Sequence, residues 1–321
     1  MKNTFYLLLF LCPVVMLTAQ TPVDQTYYDT PYTLKTPTGE IKGTLCSPAR
    51  WANTPLVILI AGSGPTDRNG NSPLGIETNC YQMLAWEMAK KGISSVRFDK
   101  RGIGESKAAT VGESALRIET YVDDVISWVN EFANKKSYSG IFIMGHSEGS
   151  LIGMLAAQRV PVKGYISLAG AGRPADLILM EQLSGVPQEF ITLIQADLDS
   201  LKQGMSLSYV HPNLYAFFRP SVQEYMKSWL RYDPAAEIKK LTVPVLLVQG
   251  TTDLQVKIKE VNLLATARPD ARLAVFENMN HILKEAGEDT KANLETYKDP
   301  NLPLKAGLAE TIIDFIRQHQ K

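Results

Sequence analysis

Ile141-Phe142-Ile143-Met144-Gly145-His146-Ser147-Glu148-Gly149-Ser150 joins a short apolar run to a helix-like stretch that continues to Arg159. The run predicts a buried strand, and the small residues that follow it (Gly149, Ser150, Gly153, Ala156, Ala157) suit a helix packed close on a sheet. Between them, Gly145 and Gly149 flank Ser147 with the spacing G-x-S-x-G. A strand-to-helix turn this sharp exposes a serine hydroxyl, and the glycines let neighbouring chain pass without meeting a Cβ. Alone the pattern is weak, arising by chance in about one chain in ten of this length. The other reading is a plain Gly/Ser turn in a crossover. The strand and helix on either side favour Ser147 as a nucleophile.

Outward from this unit, strands and helices alternate. Residues 28–48 predict an antiparallel hairpin turning at Pro37-Thr38-Gly39, and 56–60 a strand buried on both faces. A helix over 78–91 ended by Gly92, a strand over 94–98, a helix over 118–133 and a strand over 165–168 follow. After an interruption come strands at 245–248 and 273–276, a helix near 257–267 and a terminal helix over 308–319. This order predicts an α/β protein with a mainly parallel sheet covered on both faces, whose function gathers at strand carboxyl ends.

The interruption, residues 171–241, predicts helices only. Ile191, Ile194, Leu198 and Leu201 recur at helical spacing, and Tyr209, Tyr215, Phe217, Phe218, Tyr225, Trp229 and Tyr232 crowd its second half. It reads as a helical lid inserted in a core of 21–170 and 242–321. Most of these aromatics are expected to pack lid on body, with one or two lining a pocket.

A serine nucleophile needs a base, and the base an acid to fix its tautomer. Asp253 follows the strand ending at Gln249, and His281 follows the last strand, so both fall beyond strand carboxyl ends. Alone, Asp253 would be a turn residue. His146 adjoins the nucleophile but should point elsewhere at a tight elbow, His211 lies in the lid and His319 in the last helix, so His281 is the expected base. An oxyanion would take two backbone donors: Glu148, the residue after the nucleophile, and Ser63 in the loop Ala61-Gly62-Ser63-Gly64-Pro65. That loop lacks the G-x-x-x-x-G-K-[ST] spacing of a phosphate cradle.

These features resemble the α/β-hydrolase superfamily over residues 28–320. The chain order Ser, Asp, His matches that family. Asp99-Lys100-Arg101-Gly102-Ile103-Gly104-Glu105-Ser106 is similar to its D-x-R-G-x-G-x-S segment, expected to brace the loop beneath the site. Gly250-Thr251-Thr252-Asp253-Leu254-Gln255-Val256 is similar to its G-x-x-D-x-x-V acid turn. Ala61-Gly62 replaces the common His-Gly. The stretch 62–71, Gly-Ser-Gly-Pro-Thr-Asp-Arg-Asn-Gly-Asn, resembles a branch of bacterial carboxylesterases close to the serine aminopeptidase-like and monoglyceride-lipase-like group. In it Asp67 and Arg68 either pair at the pocket rim or fix the loop.

The resemblance implies an α/β-hydrolase fold with an inserted helical lid, and a serine carboxylesterase acting on small esters with no cofactor. A serine aminopeptidase, a thioesterase or an acyltransferase on the same fold, and a non-catalytic binding module, are the alternatives.

Composition bounds this further. With 45% hydrophobic and 21% charged residues, and Lys+Arg equal to Asp+Glu at 33 each, the chain reads as an ordinary globule with nothing that suggests nucleic-acid binding. The four histidines are scattered without metal-ligand spacing. Residues 1–20 read as a signal peptide: Lys2, an apolar run from Phe5 to Leu17 too short to span a membrane, and Leu17-Thr18-Ala19 before the cut. Export to the periplasm or medium of a bacterium is therefore expected. Leu11 and Pro13 around Cys12 argue against a lipid anchor. Cys46 and Cys80 remain, as a disulfide or as two buried thiols.

Overall fold

The computed structural model describes residues 26–50, 52–183 and 185–320; the leader read over 1–20, with Cys12, lies outside them. Eight strands form one sheet among the described residues: β1 (Tyr27–Thr36), β2 (Gly39–Pro48), β3 (Thr54–Ile60), β4 (Ser94–Phe98), β5 (Tyr138–His146), β6 (Gly164–Leu168), β7 (Val245–Gly250) and β8 (Arg272–Phe276). Their order across the sheet is β1-β2-β4-β3-β5-β6-β7-β8. The β1/β2 and β2/β4 pairs are antiparallel and the others parallel.

Eleven α-helices accompany it among the described residues: α1 (Cys80–Lys90), α2 (Ile118–Ala133), α3 (Glu148–Ala157), α4 (Ala175–Gln182), α5 (Gln188–Lys202), α6 (Tyr215–Phe218), α7 (Gln223–Trp229), α8 (Pro234–Ile238), α9 (Ile258–Ala267), α10 (Thr290–Glu295) and α11 (Leu308–His319). None among the described residues is long and apolar enough to cross a membrane.

The period of two in the strands divides the core. Leu56, Ile58 and Ile60 of β3 and Ile143 of β5 face α2 and α3, while Val57 and Leu59 with Phe142 and Met144 face α1 and α11. All seven residues of β3 are buried, as their unbroken apolar run predicts. Helix α2 matches its predicted span because Ile118, Tyr121, Val122, Val125, Trp128, Val129 and Phe132 form one buried stripe. Helix α1 starts two residues later than predicted: Asn79 is left-handed at φ 50°, which a helix cannot continue through and which asparagine tolerates. Covering of the sheet also stops at β8, an edge strand where Leu273 and Val275 are exposed.

Helices α4 to α8 lie between β6 and β7; α4 to α7 share a small core of their own, built on Ile194, Leu198 and Leu201 of α5 with Phe218, Met226 and Leu230, whereas Ile238 of α8 joins the main core. Cys46 and Cys80 are free, buried thiols, which decides against the disulfide. Burial raises both, Cys46 to about 12 and Cys80 to about 11, so neither is a nucleophile at neutral pH.

Candidate active site

Strand register brings the predicted residues to one edge of the sheet. Ile60 pairs with Gly145, His146 with Leu168, Leu168 with Val248 and Gly250 with Phe276, so β3, β5, β6, β7 and β8 end nearly level. The Ser63 loop, the Ser147 turn, the Asp253 turn and the His281 loop all leave from those ends.

Ser147 has φ 54° and ψ −121°, a conformation that L-residues rarely adopt and that costs about 1–3 kcal/mol. Packing around it enforces the turn. A Cβ on Gly145 would lie 2.0 Å from the Gly149 carbonyl oxygen, and one on Gly149 would lie 2.5 Å from that of Ile60. The Ser147 amide donates to Leu168 O at 2.9 Å, and the next residue, Glu148, opens α3, whose first amides have no partner within the helix.

Asp253 and His281 meet as predicted. His281 Nδ1 donates to Asp253 Oδ2 at 2.8 Å, leaving Nε2 as the basic nitrogen. Asp253 Oδ1 accepts from the amides of Gln255 (2.8 Å) and Val256 (2.9 Å), and Oδ2 also accepts from Gln249 Nε2 at 3.1 Å. Burial works to raise the carboxyl's pKa, but the charge and hydrogen bond of His281 and the two amides outweigh it, and the net shift is downward. The anion that would orient and stabilise an imidazolium is thus secured.

His146 does point away from the cavity, but it is not idle. Its ring centroid lies 4.6 Å from that of His281. Because a carbonyl only accepts, the 2.8 Å contact to His281 O makes His146 Nε2 the donor. Nδ1 then accepts from the Tyr81 hydroxyl at 2.7 Å, and that hydroxyl accepts from Gly62 N–H at 3.3 Å. A neutral imidazole therefore links the His281 backbone to the Ser63 loop. Burial, helped by the neighbouring His281, lowers its pKa from 6.5 to about 3. Between those values the unfolded chain takes up a proton that the folded chain refuses. This contribution to stability is complete above 6.5 and is lost as the pH falls toward about 3. His146→Gln is expected to lose less stability than the wild type between about pH 7 and about pH 4.5. Thermal melts at the two pH values check this, and parallel losses would refute it.

Ser63, Gly64, Ser147 and Glu148 form one wall of a cavity of about 350 Å³, within the range of small-molecule sites. Helices α4, α6 and α7 supply much of the rest, with Gln255 and Val256 of the acid turn. Phe217, Phe218, Tyr225 and Trp229 all line it, more aromatics than the one or two expected. Tyr209 and Tyr215 are exposed instead. His211 caps the turn Pro212–Leu214 by accepting from Asn213 N–H, and His319 packs on Phe315, so neither belongs to this cluster.

The loop before α1 is braced as the D-x-R-G resemblance implied. Asp99 accepts from the amides of Arg68 (2.8 Å) and Glu105 (2.9 Å), and Arg101 holds Asp124. Asp67 and Arg68 do not pair: Asp67 fixes the loop through the amides of Asn69 and Asn71, while Arg68 reaches Asp99 and Glu105. Lys100, Tyr81 and the place of Tyr225 on the cavity wall are not predicted by the sequence. Lys100 stands in an unspecified position of its motif, and nothing in the spacing marks it as buried.

The family pattern described as serine aminopeptidase, S33, matches residues 74–286, well over half of the chain. The chain belongs to this family. Among curated relatives of this S33 chain, esterase EstD of Thermotoga maritima is 25% identical over 248 residues, which are 76% of the chain and 58% of EstD. The S33 chain therefore spans little more than half of that relative. Monoglyceride lipase of Rattus norvegicus is 23% identical over 291 residues, 86% of the chain and 91% of the lipase. Among solved structures, Est1E from Butyrivibrio proteoclasticus, seen with ferulic acid, aligns at a TM-score of 0.58 and 17% identity, covering 90% of this chain and 98% of its own. That likeness supports the α/β-hydrolase fold of this S33 member, with its mostly parallel sheet flanked by helices.

Proposed function

We propose that the protein is an exported serine carboxylesterase. The observation that carries the reading is Ser147, held in a strained strand-to-helix turn on the wall of a largely apolar cavity, beside the strand ends that bear the Asp253–His281 pair. In this mechanism His281 Nε2 takes the Ser147 proton as Oγ attacks the ester carbonyl. Asp253 holds the imidazole, and the amides of Ser63 and Glu148 stabilise the oxyanion. Collapse expels the alcohol, protonated by His281, and leaves an acyl-serine. Water, deprotonated by His281, then releases the acid and restores Ser147.

Ester rather than aminopeptide substrates are favoured by the cavity's charges. Among the described lining residues the one carboxylate is Glu148, and its two oxygens are engaged by Lys100 and Tyr225. No lining acid remains to receive the ammonium of a peptide N-terminus. The names of EstD and monoglyceride lipase support the same choice, and the leader-like residues 1–20 support export.

The test uses protein beginning at Gln20, nitrophenyl esters of increasing acyl length and aminoacyl nitroanilides. Ester cleavage that depends on Ser147, with negligible anilide cleavage, is the expected result. Anilide cleavage with silence on esters would move the reading to an aminopeptidase.

A further inference from the structure

Beneath the cavity wall runs a buried polar network that the proposed chemistry does not itself consume. Lys100, two residues beyond β4, is 2% exposed. Its Nζ donates to the Gly62 carbonyl at 2.6 Å and to Glu148 Oε2 at 2.9 Å, and lies 5.0 Å from the centroid of the Tyr121 ring. The other carboxylate oxygen, Glu148 Oε1, accepts from the Tyr225 hydroxyl of α7 at 2.6 Å. A buried ion pair is costly to desolvate, and apolar side chains of similar volume would often pack as well. Its geometry suggests what it does instead.

A trans peptide turns its C=O and N–H to opposite sides, and the described chain has no cis peptide. The ammonium that draws the Gly62 carbonyl inward therefore aims the N–H of the same peptide, that of Ser63, the other way, toward the cavity that Ser63 lines. Tyr81 holds the Gly62 N–H at the other end of the residue. The same ammonium grips Glu148, whose own amide opens α3 beside Ser147. One cation thus reaches the peptide that carries the Ser63 N–H and the side chain of the residue that carries the other donor, and Tyr225 joins that side chain to the helical insertion.

We propose that Lys100 is a positioning residue that holds the Ser63 and Glu148 amides in register as one oxyanion-binding pair, with Tyr225 tying that register to the seating of α7 over the cavity. The inference rests on the oxyanion role assigned to those amides above. Misplacing donors by about 1 Å costs on the order of 10²-fold in rate.

Three variants test it: Lys100→Met, the double variant Lys100→Met with Glu148→Gln, and Tyr225→Phe. Each is assayed for kcat and KM on the best nitrophenyl ester. Affinity is measured for a trifluoromethyl ketone of the same acyl chain, which forms a tetrahedral oxyanion on Ser147, and for the product acid as a ground-state competitor. Lys100→Met is expected to lower kcat by about 10²-fold with KM within about threefold, and to weaken the ketone by a similar factor but not the acid. The double variant leaves no uncompensated buried charge. It should fold and keep the kcat loss, because Gly62 still lacks its donor. Tyr225→Phe should give the same pattern at about a tenth of the amplitude.

A single variant with near wild-type kcat, a double variant that regains wild-type kcat, or a kcat loss with undiminished ketone affinity would overturn the proposal. Failure of both Lys100 variants to fold would assign Lys100 to stability and overturn it equally. Failure of the esterase reading looks different: the wild type itself is silent on esters. If a fluorophosphonate still labels Ser147, the labelling rate replaces kcat as the readout for the variants.

Discussion

Ser147→Ala is expected to reduce kcat for ester hydrolysis by about six orders of magnitude while leaving the protein folded. The hydroxyl is the only part removed, and the turn that holds it is set by backbone packing at Gly145 and Gly149 rather than by the side chain. Among the described residues no thiol is poised to replace it: Cys46 and Cys80 are buried and raised well above neutral pH. What activity persists should reflect the oxyanion donors and substrate binding alone. Hydrolysis of the best ester by matched wild-type and variant protein, with unfolding curves for both, makes the comparison. A residual rate above about one hundredth of wild type would refute a Ser147 nucleophile.

Asp253→Asn carries the second large effect, about 10⁴-fold in kcat, and the hydrogen bonds around the carboxylate explain why so small a change does so much. Oδ1 sits where two amide N–H groups, from Gln255 and Val256, converge. An asparagine would place its carbonyl oxygen there, turning its NH2 toward His281 Nδ1 and toward the Gln249 amide that now donates to Oδ2. Facing a donor, Nδ1 must accept, so the ring proton moves to Nε2. The nitrogen needed as a base is then blocked. His281→Ala should be at least as severe, since it removes the base itself. Activity of Asp253→Asn within about tenfold of wild type would show that the pair does not control the tautomer.

Much of this was legible from residue order. The buried strands were readable because their apolar runs have no competing period, and α2 and α11 because their apolar stripes are long and regular. The placement of Ser147, Asp253 and His281 beyond strand ends was readable because it is set by the alternation of elements. Ser63 and Glu148, likewise expected from the sequence, both line the cavity. Residues whose roles depend on three-dimensional convergence were not readable. Lys100 reaches Gly62 and Glu148 across 38 and 48 residues of chain, and Tyr81 reaches His146 across 65. His146 was expected only to face away from the cavity; that its ring supports the His281 backbone follows from a carbonyl 135 residues distant. Nor could spacing tell that Tyr225 and Trp229 line the cavity whereas Tyr209 and Tyr215 face solvent, since all four lie in one short aromatic-rich stretch.

The Ser147 amide, bonded to Leu168 O at 2.9 Å, lies where β5 and β6 leave the middle of the sheet, between a packed helix and buried strands. It can exchange its hydrogen with solvent only when those two strands part, an event that opens the centre of the domain. Exchange at this position therefore runs on the clock of global unfolding, whatever the helices above the cavity do on shorter times. The proposed nucleophile is thus expected to sit among the slowest-opening parts of the molecule, with substrate passage left to elements that need not disturb it.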